Sequence, residues 1–384
     1  MKPTLWTAAA ALAALLPVAG LAQTAQELMT SRLGTTEADP VLVEAFAHAA
    51  MPVTEELRAK ALECWNNNGC DTGTGGEITV AYADGFGENV WRRVTAMEFI
   101  QQALTYPEIG QILYTSARGD ASKAISDLRA YIAQDVDVIV IFADAGEALA
   151  PTVREATAAG IQVVLHNGTG AGVAGEDYLT NISENICNLG TEMVKAIATT
   201  SHAGSIVVLG GVPGNPLSAE VQRCANLEIP NHEGMEMVAS IDTMWTQEGN
   251  VTAVSTALSQ FGEVGGYITE YADGFRGAIR AYEQAGAPLS FAVASRTDEQ
   301  GLFCDWEAAG KSFDIFYSSG QNYQSRFALT AAMMAIAGQE VAAHIDVPFS
   351  MKPARDGLCN PDLPMETSVS TLVDTDTLKA MFAG

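Results

Sequence analysis

From residue 78 to residue 349 the chain alternates between short, apolar, β-branched runs and longer stretches suited to helices. That alternation restricts the possible folds more than any other feature. Periodicity predicts strands over 78–82, 111–115, 136–142, 161–166 and 178–182, with helices over 88–104, 121–134 and 147–159 between them. The runs VDVIVIF and IQVVLH offer almost nothing polar to a solvent-facing side, as expected of parallel strands covered on both faces. The pattern then resumes, with strands expected at 205–209, 237–241, 266–269, 290–294, 313–318 and 344–349. Helices are expected at 184–199, 217–227, 246–261, 275–285, 299–309, 322–337 and 375–382. Two successive βα runs imply an α/β protein of two doubly wound parallel-sheet lobes. A single (β/α)8 barrel fits less well, because more than eight strands are expected. At 384 residues the chain is long enough for two ordinary cores.

The first residues read as an export signal over 1–22: Met1-Lys2-Pro3, an apolar run, then Ala19-Gly20-Leu21-Ala22 as small residues at a cut before Gln23. Pro17 and Gly20 within the run argue against a retained anchor, and no Cys at the cut suggests a lipid anchor. No later unbroken apolar span is long enough to cross a bilayer. The expected mature protein is therefore soluble and exported. Net charge is −26, which argues against nucleic acid and anionic membrane surfaces as partners. Six cysteines, an even number, suit an oxidising compartment. Cys64 and Cys70 would close a short loop, Cys187 and Cys224 fall on two expected helices, and Cys304 and Cys359 remain, so these three pairs are expected. Residues 23–76 read as a helical extension, with helices over 41–51 and 54–65 and Thr54 as a helix start.

The stretch ITVAYADGFGENVWRR reads as strand, loop and helix, with Glu88 opening the helix. Its loop lies at the carboxyl end of the strand, where open α/β sheets bind ligands. It supplies an acid (Asp84), two aromatics (Phe86, Trp91), an amide (Asn89) and a cation (Arg92). That mixture suits a polyhydroxyl ligand, whose apolar faces stack on rings and whose hydroxyls need donors and acceptors. No cofactor or metal is expected. GAGVAG at 170–175 matches GxGxxG but is followed by a strand-like stretch, and there is no P-loop, GxSxG, HExxH or CxxC. His166 is the one histidine at an expected strand end facing the cleft.

Several segments together resemble the periplasmic-binding-protein type I family, the sugar-binding solute receptors of ABC transporters. They are YADGFGENVWRR, the helix D-x-x-K-x-x-x-D-L at 120–128 with QDVDVIVIF and EATAAGIQVVL after it, YLTNISENICNLG, IVVLGGVPGNPLSAE and ITEYADGFRGAIRAYEQAG. The resemblance implies two lobes that close on a ligand held between them, joined by three crossovers near 182–184, 321–322 and 347–350. It implies lobes of 77–182 with 322–346 and of 183–321 with 347–384. The implied ligand is a monosaccharide or polyol, the partner an inner-membrane ABC permease, and the receptor a monomer. Carried over by position, first-lobe contacts are Asp84, Phe86, Asn89, Trp91, Arg92, Asp144, His166 and Asn167. Second-lobe contacts are Asn215, Glu270, Tyr271, Asp273 and Arg296, with Gln321 at a crossover. Two departures stand out. His166-Asn167 replaces a common Asp-Arg, and Val221 and Cys224 occupy the places of the family's R-x-x-G. A secreted carbohydrate-active enzyme is the alternative; it would need two carboxylates about 5–10 Å apart across one bond, drawn from Asp84, Asp144, Glu270 and Asp273.

Overall fold

A computed structural model describes residues 18–87, 89–168, 170–202 and 204–383. Most of the expected signal at 1–22, and Glu88 as a helix start, lie outside the described residues. The chain forms two sheets. The first has the order Gly69–Asp71, Ile109–Ser116, Ile78–Asp84, Val138–Phe142, Gln162–His166, Thr180–Ser183, His344–Asp346. The second runs Lys352–Pro353, Asp314–Tyr317, Ala292–Ser295, Gly266–Thr269, Ser205–Gly210, Glu236–Asp242. Pairing is parallel except at the edge strands Gly69–Asp71 and Lys352–Pro353. Those two were not anticipated, because runs of two or three residues carry no readable alternation.

Strand order reverses at one place in each sheet, between Ile78–Asp84 and Val138–Phe142 in the first and between Ser205–Gly210 and Gly266–Thr269 in the second. Helices leave to opposite faces there and open a crevice at the strands' carboxyl ends. Asp84 is in register with Phe142, and Leu209 with Thr269, so the loops carrying Asp144 and Glu270 emerge at those crevices.

The central strands of each sheet are buried on both faces, with side chains alternating between them. Val80, Tyr82 and Val140 pack with Phe99 and Phe327 on one side of the first sheet, while Ala81, Ile139 and Ile141 pack with Leu128 and Tyr131 on the other. In the second, Val207 and Leu209 meet Tyr267, Phe275 and Phe291, and Ile206 and Val208 meet Leu189, Val194 and Ile197. Trp91 and Phe142 of the first lobe join that last cluster, so the lobes meet through packed rings.

Residues 23–76 form helices, as expected, and pack into the core of the first lobe. Leu42 and Phe46 of the helix Pro40–Ala49 are fully buried, with the Phe46 ring 5.4 Å from that of Phe327 on Gln324–Ile336. The expected helix start at Thr54 is present, its hydroxyl accepting from Leu57 N at 3.2 Å.

The tail, assigned above to the second lobe over 347–384, crosses back. Cys359 pairs with Cys304, and the backbone at 365–369 bonds to residues 298–301 in the second lobe. Then Thr371, Leu372 and Val373 all donate to the Glu98 carboxylate of the first lobe, and Asp374 accepts from Gln101 of that lobe and from Arg58 of the N-terminal extension. Glu98 is buried and also pairs with Arg326, so the tail supplies donors that a buried carboxylate requires.

Candidate ligand cleft

Asn89 caps the helix Val90–Ala103, its side chain accepting from Arg92 N at 3.0 Å, so the helix begins two residues after the expected Glu88. This start directs Arg92 back over the crevice. Its Nη1 donates to Asp84 Oδ1 at 3.0 Å and its Nη2 to Asp144 Oδ2 at 2.5 Å, while the guanidinium lies 3.2 Å from the Phe142 ring centroid. Arg92 and Asp84 are each 2% exposed. Burial pushes Asp84 up to about 6, opposed by the Arg92 charge, and raises Asp144 for the same reason. Gly85 makes this approach possible, since a Cβ there would stand 2.6 Å from Asp144 Oδ2.

From the second lobe, Asn215 caps the helix Pro216–Glu228 through Leu217 N and Ser218 N and donates across the cleft to Asp144 Oδ1 at 2.8 Å. Glu270 ends the strand Gly266–Thr269 and accepts from Ser218 Oγ at 2.7 Å and Trp245 Nε1 at 2.8 Å. Burial lifts its carboxyl to about 7 against those two hydrogen bonds. Met244 and Trp245 both hold left-handed backbone, at φ 57° and 52°, a strain that the surroundings must enforce. The indole seats flat on Gly211, where a Cβ would lie 2.0 Å from Cε2. Arg296 donates to Glu184 Oε1 at 2.8 Å and to Asn167 Oδ1, with its guanidinium 5.5 Å from the Trp91 centroid.

These groups border about 320 Å³ of space, part of it open to solvent, lined by Asn89, Trp91, Arg92, Phe142, Leu217, Trp245, Glu270, Tyr271, Arg296 and Thr297. An adjoining space of about 490 Å³ lies beside Phe86, Asp144, Asn215 and the other side of Trp245. On the inner lining, Trp91 Nε1 is buried with no hydrogen-bond partner among the described residues.

Of the residues read from sequence, Asn89, Trp91, Arg92, Glu270, Tyr271 and Arg296 line the inner space, and Phe86, Asp144 and Asn215 the outer one. Asp84 stands behind Arg92 as its partner. Others lie deeper. The His166 ring stacks on Tyr82 at 5.6 Å and meets Phe142 edge-on at 5.2 Å, and burial holds its pKa well below the usual value, so it is neutral. Asn167 and Gln321, both left-handed at φ 59° and 54°, tie the crossovers together: Asn167 Nδ2 donates to Gln321 O, and Gln321 Nε2 to Pro348 O at 2.7 Å. Asp273 is not brought to either space. Gln247 and Arg276 hold its carboxylate on the far side of the helix Ala272–Ala285.

Sequence reasoning missed Phe142, Ser218, Thr297, Glu184 and above all Trp245. Applying to the strand Glu236–Asp242 the carboxyl-end rule that was used for the strand at 78–82 would have pointed to Trp245.

Residues 82–340 match the family described as periplasmic binding protein domain. The chain belongs to that family. No curated protein matches it by sequence. Its fold is similar to the periplasmic binding protein component of the arabinose ABC transporter from Shewanella sp. ANA-3, with a TM-score of 0.65 at 20% identity over 72% of this chain and 92% of that one. It is also similar to a solute-binding protein from Bacillus halodurans with bound myo-inositol (TM-score 0.62, 18% identity, 73% and 96% covered). A third, the 5-methylthioribose transporter solute-binding protein from Thermotoga lettingae, has a TM-score of 0.60 at 18% identity, with 80% and 92% covered.

Membership in a family of binding proteins, not enzymes, sets aside the hydrolase alternative. In this binding protein the candidate acid–base carboxylates are engaged elsewhere, Asp84 and Asp144 on one arginine and Glu270 on Ser218 and Trp245. At the R-x-x-G positions, Val221 is fully buried and Cys224 is paired with Cys187. Cys187, Cys224 and Glu220 are the one cluster of potential metal ligands among the described residues, and its two sulfurs are bonded to each other.

Proposed function

We propose that this protein captures a neutral monosaccharide or polyol between its lobes and delivers it to an inner-membrane ABC permease. One observation carries the reading: the cleft's cations are already neutralised by its own carboxylates, while its rings and the Trp91 Nε1 donor are unengaged. Arg92 faces Asp84 and Asp144, and Arg296 faces Glu184, so neither is free to recruit an anion. Glu270 adds a further acid, which disfavours sugar acids and phosphates. Trp91, Phe142, Tyr271 and Trp245 present faces for an apolar sugar surface. Trp91 Nε1, on the inner lining and without a partner, supplies a donor for a hydroxyl. The similar structures with bound arabinofuranose and myo-inositol support the ligand class.

Closure is a hinge motion between a lobe of 77–182 with 322–346 and one of 183–321 with 347 onwards, the tail returning to the first. Asp144–Asn215, Asn167–Arg296 and Phe86–Trp245 span the lobes and form only when they close. A ligand that touches both lobes favours that state by its added contacts. Residues 1–22 direct export, and the cysteine pairs 64–70, 187–224 and 304–359 form as disulfides in the periplasm. The mature receptor acts as a monomer.

A thermal-shift screen of the mature protein against sugars, polyols and amino acids tests this, since a ligand of the folded state raises the midpoint by mass action. A rise with one sugar or polyol class, without turnover, is expected. A rise with amino acids alone would reject the ligand class, and consumption of the sugar would reject the receptor reading.

A further inference from the structure

Besides the crossovers, the tail links the lobes once more, and it passes from one to the other within two residues. Its anchor on the second lobe is the amino end of the helix Gln300–Ala308. No side chain caps that helix. Instead Gln300 N donates to Thr367 O at 2.9 Å and Gly301 N to Met365 O at 2.7 Å. These are first-turn amides, which have no acceptor within their own helix. Val369 N then donates to Asp298 O at 3.0 Å, and the pair Cys304–Cys359 joins the same helix to the tail.

The anchor on the first lobe is Glu98, fully buried on the helix Val90–Ala103. Its Oε1 accepts from Thr371 Oγ1 at 2.6 Å, Leu372 N at 2.7 Å and Val373 N at 3.3 Å. Beyond it, Val373 and Leu378 are buried in the core of that lobe. Each anchor therefore holds by groups that would be left unsatisfied if the tail lifted away.

Only Ser370 stands between the two. Its hydroxyl donates to Ser319 O at 3.3 Å, just ahead of the crossover at 321–322, and its carbonyl accepts from Arg32 Nε at 2.7 Å. The two residues from Val369 to Thr371 reach about 7 Å when fully extended, so Asp298 and Glu98 cannot move far apart while both anchors hold. Both belong to elements that build the cleft, for Asp298 follows Thr297 and Glu98 shares its helix with Trp91 and Arg92.

Resting on the hinge closure described above, we propose that residues 369–371 form a fourth hinge segment, a strap that limits how far the ligand-free lobes open. A receptor so restrained spends more of its time near the closed state, and its apparent affinity is less weakened by an open population.

Double electron–electron resonance on the ligand-free mature protein tests this. Nitroxides are attached through p-acetylphenylalanine at Ser122 and Glu248, exposed positions at the starts of the helices Ala121–Ala133 and Gln247–Phe261, one in each lobe. Six Gly/Ser residues inserted between Ser370 and Thr371 keep both anchors and add about 20 Å of reach, so the mean separation should lengthen by roughly 5 Å or more and its distribution broaden. A three-residue insertion at the same place is the second variant should the first fold poorly. The same six residues between Asp356 and Gly357, on an exposed turn ahead of Cys359, should leave the wild-type distribution unchanged. An unaltered separation after lengthening at Ser370 would overturn this inference, and so would an equal change from the insertion at Asp356. Either result leaves the receptor reading to the thermal-shift screen, which does not read the distance between lobes.

Discussion

Replacing Arg92 with methionine removes the charge and keeps most of the stem that packs on Phe142. The consequence follows from burial. An exposed ion pair contributes about 0–1 kcal/mol, but removing one partner of a buried pair costs about 3–5 kcal/mol, because the remaining charge is left in a poorly solvated place. Here two carboxylates are stranded at once. Asp84 Oδ1 would retain the Phe86 N–H at 3.0 Å, and Asp144 Oδ1 the Asn215 amide at 2.8 Å. Asp84 already titrates at about 6 with Arg92 beside it, and loss of that cation moves it higher. The unfolded chain releases the same proton near the ordinary carboxylate value of about 3.9. Between those two values the folded state holds more protons than the unfolded, so stability falls as pH rises through the window. Arg92→Met should therefore lose about 3–5 kcal/mol at pH 8 and clearly less at pH 5, where protonation relieves the stranded acids. Urea unfolding followed by circular dichroism at both pH values measures this, and Asp84→Asn in the same chain should recover part of the loss at pH 8. A loss below about 1 kcal/mol at pH 8, or an equal loss at both pH values, would refute the buried-pair argument.

Trp91→Phe keeps a ring and deletes the unpartnered Nε1 donor; ligand affinity should fall by about 1–3 kcal/mol by calorimetry, and unchanged affinity would remove Trp91 from the hydroxyl contacts. Glu270→Gln should alter the pH dependence of stability. The wild-type carboxyl, raised from 4.5 to about 7, lets stability fall as pH rises between those values, so the variant should gain on the wild type across that window by on the order of 3 kcal/mol, and parallel melting curves from pH 4 to 8 would exclude it. Gly211→Ala should push the indole of Trp245 off Glu270, lowering ligand affinity at least tenfold while circular dichroism stays native, and wild-type affinity would show that the indole seat is not needed. Mass spectrometry of the non-reduced protein should find no free thiol; two or more would contradict the proposed disulfides.

The sequence by itself determined the layers of this protein. Runs such as VDVIVIF are stable only inside a parallel sheet covered on both sides, and the alternation of such runs with helices leaves few topologies. The carboxyl-end rule likewise located Asn89, Trp91 and Arg92, because a strand's end is a local property, whereas Glu270 came from the resemblance. Three things only the tertiary structure decided. Arg92 takes Asp144 as well as Asp84, across 52 residues of chain, because strand order places their loops side by side. Trp245 becomes the partition of the cleft because Gly211 leaves it a seat and Glu270 an acceptor, neither of which is near it in sequence. The tail returns to the first lobe because Glu98, buried beneath it, needs donors that its own helix does not supply. Periodicity reports which face of an element avoids water, whereas a buried charge is satisfied by whichever distant group the fold delivers within 3 Å or so, and that distance is set by the packed whole.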